Sequence, residues 1–466
     1  MLFEDMEYGF YTEAEQKARR AYELYEDGKM SQALNELDTA ISINPSNSAW
    51  HFNKALTLDA VNRFDEAISE YEIALHINPN DLETLNSLAV DYTRTGQYDL
   101  AIEVFEQIEQ LNPQFEPCYC NRIITYTEME QHDLAEQMFY LAQQVDPDCA
   151  LCYYNIGNSL FVRGQYNKAA RCWLRTAELE SEHPQINYRI AQACWCDGRH
   201  EQAREHFLAE LRTNPGDVEV ILDYGLFLLE LGEVESAREK FNRILELEPD
   251  SAVAMFYLGE IALAEDEQAR ASELFDQALR KDSTLTGPRY RLAQCALMHG
   301  HNQKAKDYLL AELRQPPEDP NILISIGSML LTIDELDHAA TCFLRAVDVD
   351  GASAEAYHYL GLASALEGRF ADAVEFLGHT LDIQPENVRA LRDSALVHLT
   401  MGQTDIASAK IARARTLADD DPQLKNFDRR VKLAHAQQLV ADFLRRWAAR
   451  VPSCLKPVFK RPGSLN

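Results

Sequence analysis

Apolar and polar positions alternate along this chain in two nested periods. Within stretches of twelve to fourteen residues the apolar positions recur at three- and four-residue intervals, the spacing of one face of an α-helix. Across stretches, the whole pattern repeats every 34 residues from Ala14 to Asp421, twelve units without insertion or deletion. Val218 to Ser251 shows the unit: two amphipathic helices, a turn at Gly232 and a stop at Pro249. A period of this length predicts a helical-hairpin solenoid, in which each unit contacts only its neighbours.

The strongest column is alanine in all twelve units: Ala33, Ala67, Ala101, Ala135, Ala169, Ala203, Ala237, Ala271, Ala305, Ala339, Ala373 and Ala407. Twelve residues earlier stands Gly or Ala, except Ile123 in the fourth unit. Small residues at both places predict close approach of two antiparallel helices. Four residues after each alanine comes a bulky apolar group on the same helical face, such as Tyr71, Phe105, Trp173, Phe241 or Leu377. Proline closes eight units (Pro45, Pro79, Pro113, Pro147, Pro215, Pro249, Pro317, Pro385), since it lacks a backbone donor and forces its predecessor out of the helix. Ser48, Asp81 and Asp217 are placed to cap the helix that follows, and glycines such as Gly96 and Gly232 supply the turn inside the hairpin.

The small–aromatic–small–proline columns over residues 14–421 resemble the tetratricopeptide repeat family. The resemblance implies an all-α, right-handed α-α superhelical solenoid of about twelve hairpins whose concave side is lined by the first helices. Ser181, Ser283, Gly351 and Asp419 depart from the closing proline, and Glu210 and Glu312 from the small residue of the second helix. These departures are expected to loosen the sixth and ninth hairpins. Around the solenoid, residues 1–13 read as an acidic, aromatic lead-in, 422–450 as a capping helix and 451–466 as a basic disordered tail.

Net charge is −31, unevenly spread: residues 423–466 carry +8, leaving −39 for the rest. An acidic body excludes nucleic-acid phosphate as a general ligand and favours basic partners. The acidic start of the chain and the lack of a long apolar run predict neither secretion nor a transmembrane segment, hence a cytoplasmic protein.

The first-helix stripe left over by the packing columns is rich in aromatic and amide groups. It comprises Asn53, Asn121, Tyr154, Asn155, Asn158, Phe161, Tyr188, Arg189, Gln192, Trp195, Phe256, Tyr257, Glu260, Tyr290, Arg291 and Gln294, with Leu222, Leu226 and Leu229 in the seventh unit. Aromatics supply contact area and Asn, Gln and Arg bond extended backbone, so the stripe reads as a peptide-binding groove. The competing reading is packing of these aromatics against the next unit. Asn53, Asn121 and Asn155 form part of the asparagine ladder that the resemblance implies, broken by Ser87 and Arg189. The lysines of a carboxylate clamp for chaperone C-termini are missing, since Pro117, Leu151 and Gln185 stand in their places.

No catalytic constellation emerges. In HEQAREH the i,i+4 position after His200 is Arg204, and neither a phosphate-cradling loop nor a nucleophile elbow is present. Ten cysteines in such a chain imply reduced thiols. Cys118, Cys120, Cys149 and Cys152 match the ligand count of tetrahedral zinc, but hairpins stacked about 10 Å apart argue against one shared ion, so no metal or cofactor is expected. The reading is a non-enzymatic scaffold for protein or peptide partners. The alternative is a membrane-peripheral assembly factor recruited through the basic C-terminal helix and tail.

Overall fold

The computed structural model describes residues 4–314, 317–418 and 424–437, with side-chain environments from residue 13 onward. These residues form 24 complete helices, and no strand is found among them. The chain divides into two compact units, Met1–Gly232 and Glu233–Asn466.

The first unit holds α1 (Glu4–Glu26), α2 (Met30–Ile43), α3 (Ser48–Asp59), α4 (Phe64–Ile77), α5 (Leu82–Arg94), α6 (Tyr98–Leu111) and α7 (Glu116–Glu128). It continues with α8 (His132–Val145), α9 (Ala150–Val162), α10 (Tyr166–Leu179), α11 (Ile186–Cys196), α12 (His200–Thr213) and α13 (Val218–Glu230). Residues 4–13 of the expected lead-in are the opening turns of α1, and residues 1–3 lie outside the described residues. The second unit begins with α14 (Val234–Leu247), α15 (Ala252–Ala264), α16 (Gln268–Lys281), α17 (Pro288–Met298), α18 (Asn302–Glu312) and α19 (Pro320–Thr332). It ends with α20 (Leu336–Val349), α21 (Ala354–Leu366), α22 (Phe370–Ile383), α23 (Val388–Thr400) and α24 (Thr404–Leu417). Residues 424–437 are also helical; they bury Leu424 and Val431 in one cluster with Leu391, Ala395 and Ile411 of the last hairpin. The basic segment beyond residue 437 lies outside the described residues.

The alanine column is fully buried throughout, from Ala33 to Ala407. Its opposite column shows why small residues stand there. A Cβ added to Gly157, Gly259, Gly327 or Gly361 would lie 2.4, 2.6, 2.6 or 2.7 Å from Trp173, Phe275, Phe343 or Leu377. The large side chain therefore rests on the bare backbone of the partner helix. In the fourth hairpin, where Ile123 fills this space, Phe139 is 9% exposed, against 2% or less for its equivalents Leu37, Tyr71, Phe105 and Trp173. Phe139 packs instead against Tyr153 of the next hairpin, ring centroids 5.2 Å apart.

Turn chemistry also keeps the period. A left-handed residue sits between the two helices of each hairpin, and eight of these are glycines. The other four are Asn62, Glu130, Asp266 and Asp334, with φ between 58° and 63°. The next amide closes back on the first helix, as Gln97 N–H does to the Tyr92 carbonyl at 2.8 Å, which satisfies a carbonyl the helix end would leave open. First helices are capped by a column of side-chain oxygens that accept from backbone N–H groups: Asn47, Asp81, Asp217, Ser251, Asp319, Ser353 and Asn387. In the second hairpin the cap is Asn47, one residue before the expected Ser48.

Glu210 and Glu312 do not loosen their hairpins. Both are buried, at 4% and 1% exposure. The α11 and α17 helices are 11 residues long, against 13 for α13 and α15, and their N-cap residues, Gln185 and Gly287, make no side-chain cap bond. The glutamates supply it from the second helix: Glu312 accepts from Gly287 N–H at 2.6 Å and Glu210 from Tyr188 N–H at 3.3 Å. Each follows a hairpin that lacks its closing proline, so the two departures compensate one another. Burial pushes the Glu312 carboxyl above its usual range.

Candidate functional site

Within each unit successive first helices lie side by side, and their side chains meet at separations of 31 to 36 residues. Asn121 Nδ2 donates to Asn86 Oδ1 (3.0 Å), Gln192 Nε2 to Asp223 Oδ2 (3.0 Å), and Trp195 Nε1 to Glu230 Oε2 (2.6 Å). A position that looks free on one hairpin therefore faces the neighbouring first helix, which pattern analysis of a single unit does not register.

This adjacency corrects part of the predicted groove. Tyr188 is 2% exposed, and its hydroxyl donates to Asp223 at 2.7 Å and Glu219 at 3.3 Å. Tyr290 is also buried. Asn155 turns inward, its Nδ2 donating to the Cys120 carbonyl (3.2 Å) and Sγ (3.3 Å). None of these three is a free contact group. In the second unit, Arg291 of α17 pairs with Glu260 of α15 at 2.5 Å, donates to Gln294 at 2.9 Å, and lies 4.8 Å from the Tyr290 ring. Phe256 packs on Phe275 and Tyr257 stacks on Phe241. Burial raises the Glu260 carboxyl, and Arg291 opposes that shift.

In the first unit much of the strip keeps an open side. Tyr154, Asn158, Phe161, Arg189, Gln192, Trp195, Leu222, Leu226 and Leu229 are all partly exposed. Three of them, Phe161, Trp195 and Leu229, stand at one repeat position of α9, α11 and α13. Trp195 rests on Phe207 and Phe227, and Phe161 on Trp173 and Tyr166, so their rings are held from behind with one face outward. The Tyr154 ring lies 4.4 Å from that of His183, centroid to centroid, tilted by 35°. Asn53 is exposed beside a cavity of about 100 Å³ lined by Tyr22, Tyr25 and Leu37. Leu151 and Val162 are 50% and 68% exposed at the two ends of α9, and neither was expected as a groove contact. Acidic side chains border the strip, and the indole N–H of Trp195 fixes one of them, Glu230, alongside.

The cysteines depart furthest from expectation. Cys118 faces the core, donating to the Phe105 carbonyl at 3.3 Å, and burial pushes its thiol up to about 12. The other three converge. The Sγ atoms of Cys120, Cys149 and Cys152 and a carboxylate oxygen of Glu116 all lie within 4.8 Å of one another. The 10 Å spacing holds between helix axes, whereas side chains reaching from α7 and the start of α9 meet between them. Cys149 and Cys152 each donate to Glu116 Oε1 at 2.8 Å. Burial, followed by the Cys149 contact, pushes Glu116 up to about 7. Hydrogen bonds from Cys120 and Cys152 hold the Cys149 thiol below its usual range. Glu116 escaped sequence reading because nothing in its own helix marks it.

His206 is half-buried and hydrogen-bonded to Asn187 (2.9 Å), with burial lowering its pKa. Among the described residues no helix is long and apolar enough to cross a membrane.

Comparison with known proteins places these features. A family profile described as "Psidin, N-terminal TPR repeats region" matches residues 15–146. A second, "Tetratricopeptide repeat", matches residues 154–218, 225–286 and 326–387. No curated protein matches the chain significantly. Among solved structures, the APC/C hetero-tetramer Cut9-Hcn1 is similar at 13% identity and a TM-score of 0.43, over 88% of this chain and 95% of that one. Yeast Tom70 is similar at 14% identity and a TM-score of 0.39, over 94% and 99%. YrrB, "a TPR protein with an unusual peptide-binding site", is similar at 20% identity and a TM-score of 0.37, over 40% and 96%. The chain belongs to the tetratricopeptide repeat family, whose members are in general non-enzymatic protein-interaction scaffolds.

Proposed function

We propose that the chain acts by holding an extended segment of another protein against the first-helix face of α9, α11 and α13. The observation that carries this is the row Phe161, Trp195 and Leu229, three large apolar side chains at one repeat position, each with one side open. Buried rings behind Phe161 and Trp195 fix their orientation, so little side-chain entropy is lost on contact. Asn158, Gln192 and Arg189 lie in adjoining rows and offer amide and guanidinium groups to a peptide backbone. The partner is basic along its length: Glu219, Asp223 and Glu230 flank the row, and the chain carries a net charge of −31. The work done is positioning, with no bond made or broken.

The test is quantitative affinity capture with the tagged full-length chain and a triple variant, Phe161→Ala, Trp195→Ala and Leu229→Ala. Circular dichroism verifies that both are folded. Loss of the same set of basic partners from the variant, with a steep salt dependence for the wild type, is the expected result. An unchanged partner set sinks the proposal.

A further inference from the structure

The cluster of Glu116, Cys120, Cys149 and Cys152 has no part in that reading, and its chemistry is specific. We propose that these four side chains hold a structural zinc ion that ties the fourth hairpin to the fifth.

Two pairs build the site. Glu116 and Cys120 are four residues apart on α7, so they project from one face. Cys149 and Cys152 form a C-x-x-C pair at the start of α9, the commonest ligand spacing of zinc knuckles. Four atoms no more than 4.8 Å apart fit around a centre at most about 2.9 Å from each. Zinc bonds of about 2.3 Å to sulfur and 2.0–2.2 Å to carboxylate oxygen require an inward movement of less than about 1 Å.

The surroundings suit thiolates. Cys152 N–H donates to Cys149 Sγ at 3.1 Å, and buried Asn155 Nδ2 donates to Cys120 Sγ at 3.3 Å. Such outer hydrogen bonds orient ligands and offset their charge. The repeat itself supplies an independent argument. Cys149 occupies the N-cap column, where Asn, Asp or Ser stands in seven other hairpins. A thiol is a weak acceptor there, so its presence needs another reason. Cys149 and Glu116 are partly exposed and leave an entry path, while Cys120 and Cys152 are buried. On binding, the thiols release their protons to solvent and the ion takes their place as the common partner. Four protein ligands leave no open position, so the site is structural rather than catalytic.

The test uses the full-length chain purified under reducing conditions, loaded with zinc, passed through a desalting column and analysed for metal. About one zinc per chain is expected in the wild type and in Cys118→Ser, whose thiol faces away. Cys149→Ser and Cys152→Ser should each lose it. Cobalt substitution should give a thiolate charge-transfer band in the wild type, and a chelator should speed amide hydrogen exchange in α7 and α9 of the zinc-loaded wild type. These last two readouts need no cysteine variant to fold. Sub-stoichiometric zinc in the wild type would overturn the proposal. So would zinc retained equally by all three variants, or a Cys149–Cys152 disulfide in the reduced preparation.

Discussion

Substituting Ala for Gly259 tests the packing rule on which every hairpin rests. The added methyl would sit 2.6 Å from Phe275 Cε1 and 2.8 Å from Cδ1. Phe275 is fully buried, so its ring has no solvent to retreat into. Reaching ordinary contact near 3.4 Å demands a displacement of roughly 0.8 Å between α15 and α16. Overpacking of this kind costs about 1–3 kcal/mol. Replacing glycine in a helix interior returns about 1 kcal/mol through backbone entropy. Packing outweighs that gain, and the net destabilisation is up to about 2 kcal/mol. The combination is not forbidden outright, since Ala89 faces Phe105 and Ala191 faces Phe207 elsewhere; the cost lies in imposing it on a hairpin shaped around glycine. Where Leu309 replaces the ring, Ala293 stands opposite, so Phe275→Leu should relieve the variant. The double substitution should cost about 1 kcal/mol less than the sum of the singles. Because a solenoid of this length does not unfold in one step, a global melting curve is the wrong assay. Native-state hydrogen exchange of the α15 and α16 amides isolates the hairpin, and about 1.4 kcal/mol corresponds to tenfold faster exchange. Unchanged exchange in the single variant, or strict additivity in the double, refutes the reasoning.

Other perturbations follow from the same geometry. Glu312→Ala should expose the unmet Gly287 N–H and destabilise the ninth hairpin by about 1–3 kcal/mol, read as faster exchange in α17, while Glu312→Gln retains most of the protection. Asp91, 1% exposed, is pushed up to about 7 by burial and then by the Asp59 carboxylate, with Arg94 opposing. Its folded pKa lies above the ordinary 3.8, so the folded chain keeps a proton that the unfolded chain loses. Its contribution therefore falls as pH rises from about 4 to 7, and Asp91→Asn should flatten that slope in chemical denaturation, by at most about 4 kcal/mol. Glu130 holds φ at 58° where most hairpins have glycine. Glu130→Gly should stabilise the fourth hairpin by about 0.5–1 kcal/mol, the relief of left-handed strain less the entropy of glycine; slower α7–α8 exchange is the check.

Much of the fold was legible because the period repeats its own evidence. One alanine four residues before one bulky apolar side chain is weak; twelve such pairs at equal spacing leave no alternative. The surface was less legible for the same reason. Tyr188, Tyr290 and Asn155 occupy positions that the repeat leaves unassigned, and only the neighbouring first helix decides whether they face solvent. That neighbour arrives about 35 residues later, beyond any helical pattern. Glu116 illustrates the point: an unremarkable first-turn acid acquires meaning from Cys149 and Cys152, 33 and 36 residues on. Glu210 and Glu312 looked like defects because the helices they cap had not been seen to be short.

Those two glutamates also bear on how such a chain is copied. Each cap and the helix it closes belong to a single hairpin, as does each glycine with the ring that leans on it. A genetic exchange that joins repeats at the connection between hairpins moves both members of a matched pair together. One that cuts at the inner turn separates them, delivering a ring to a methyl or a glutamate to a helix that already has its cap. The observed breakpoints of duplication in genes of this architecture should therefore favour the junctions between hairpins over the turns within them.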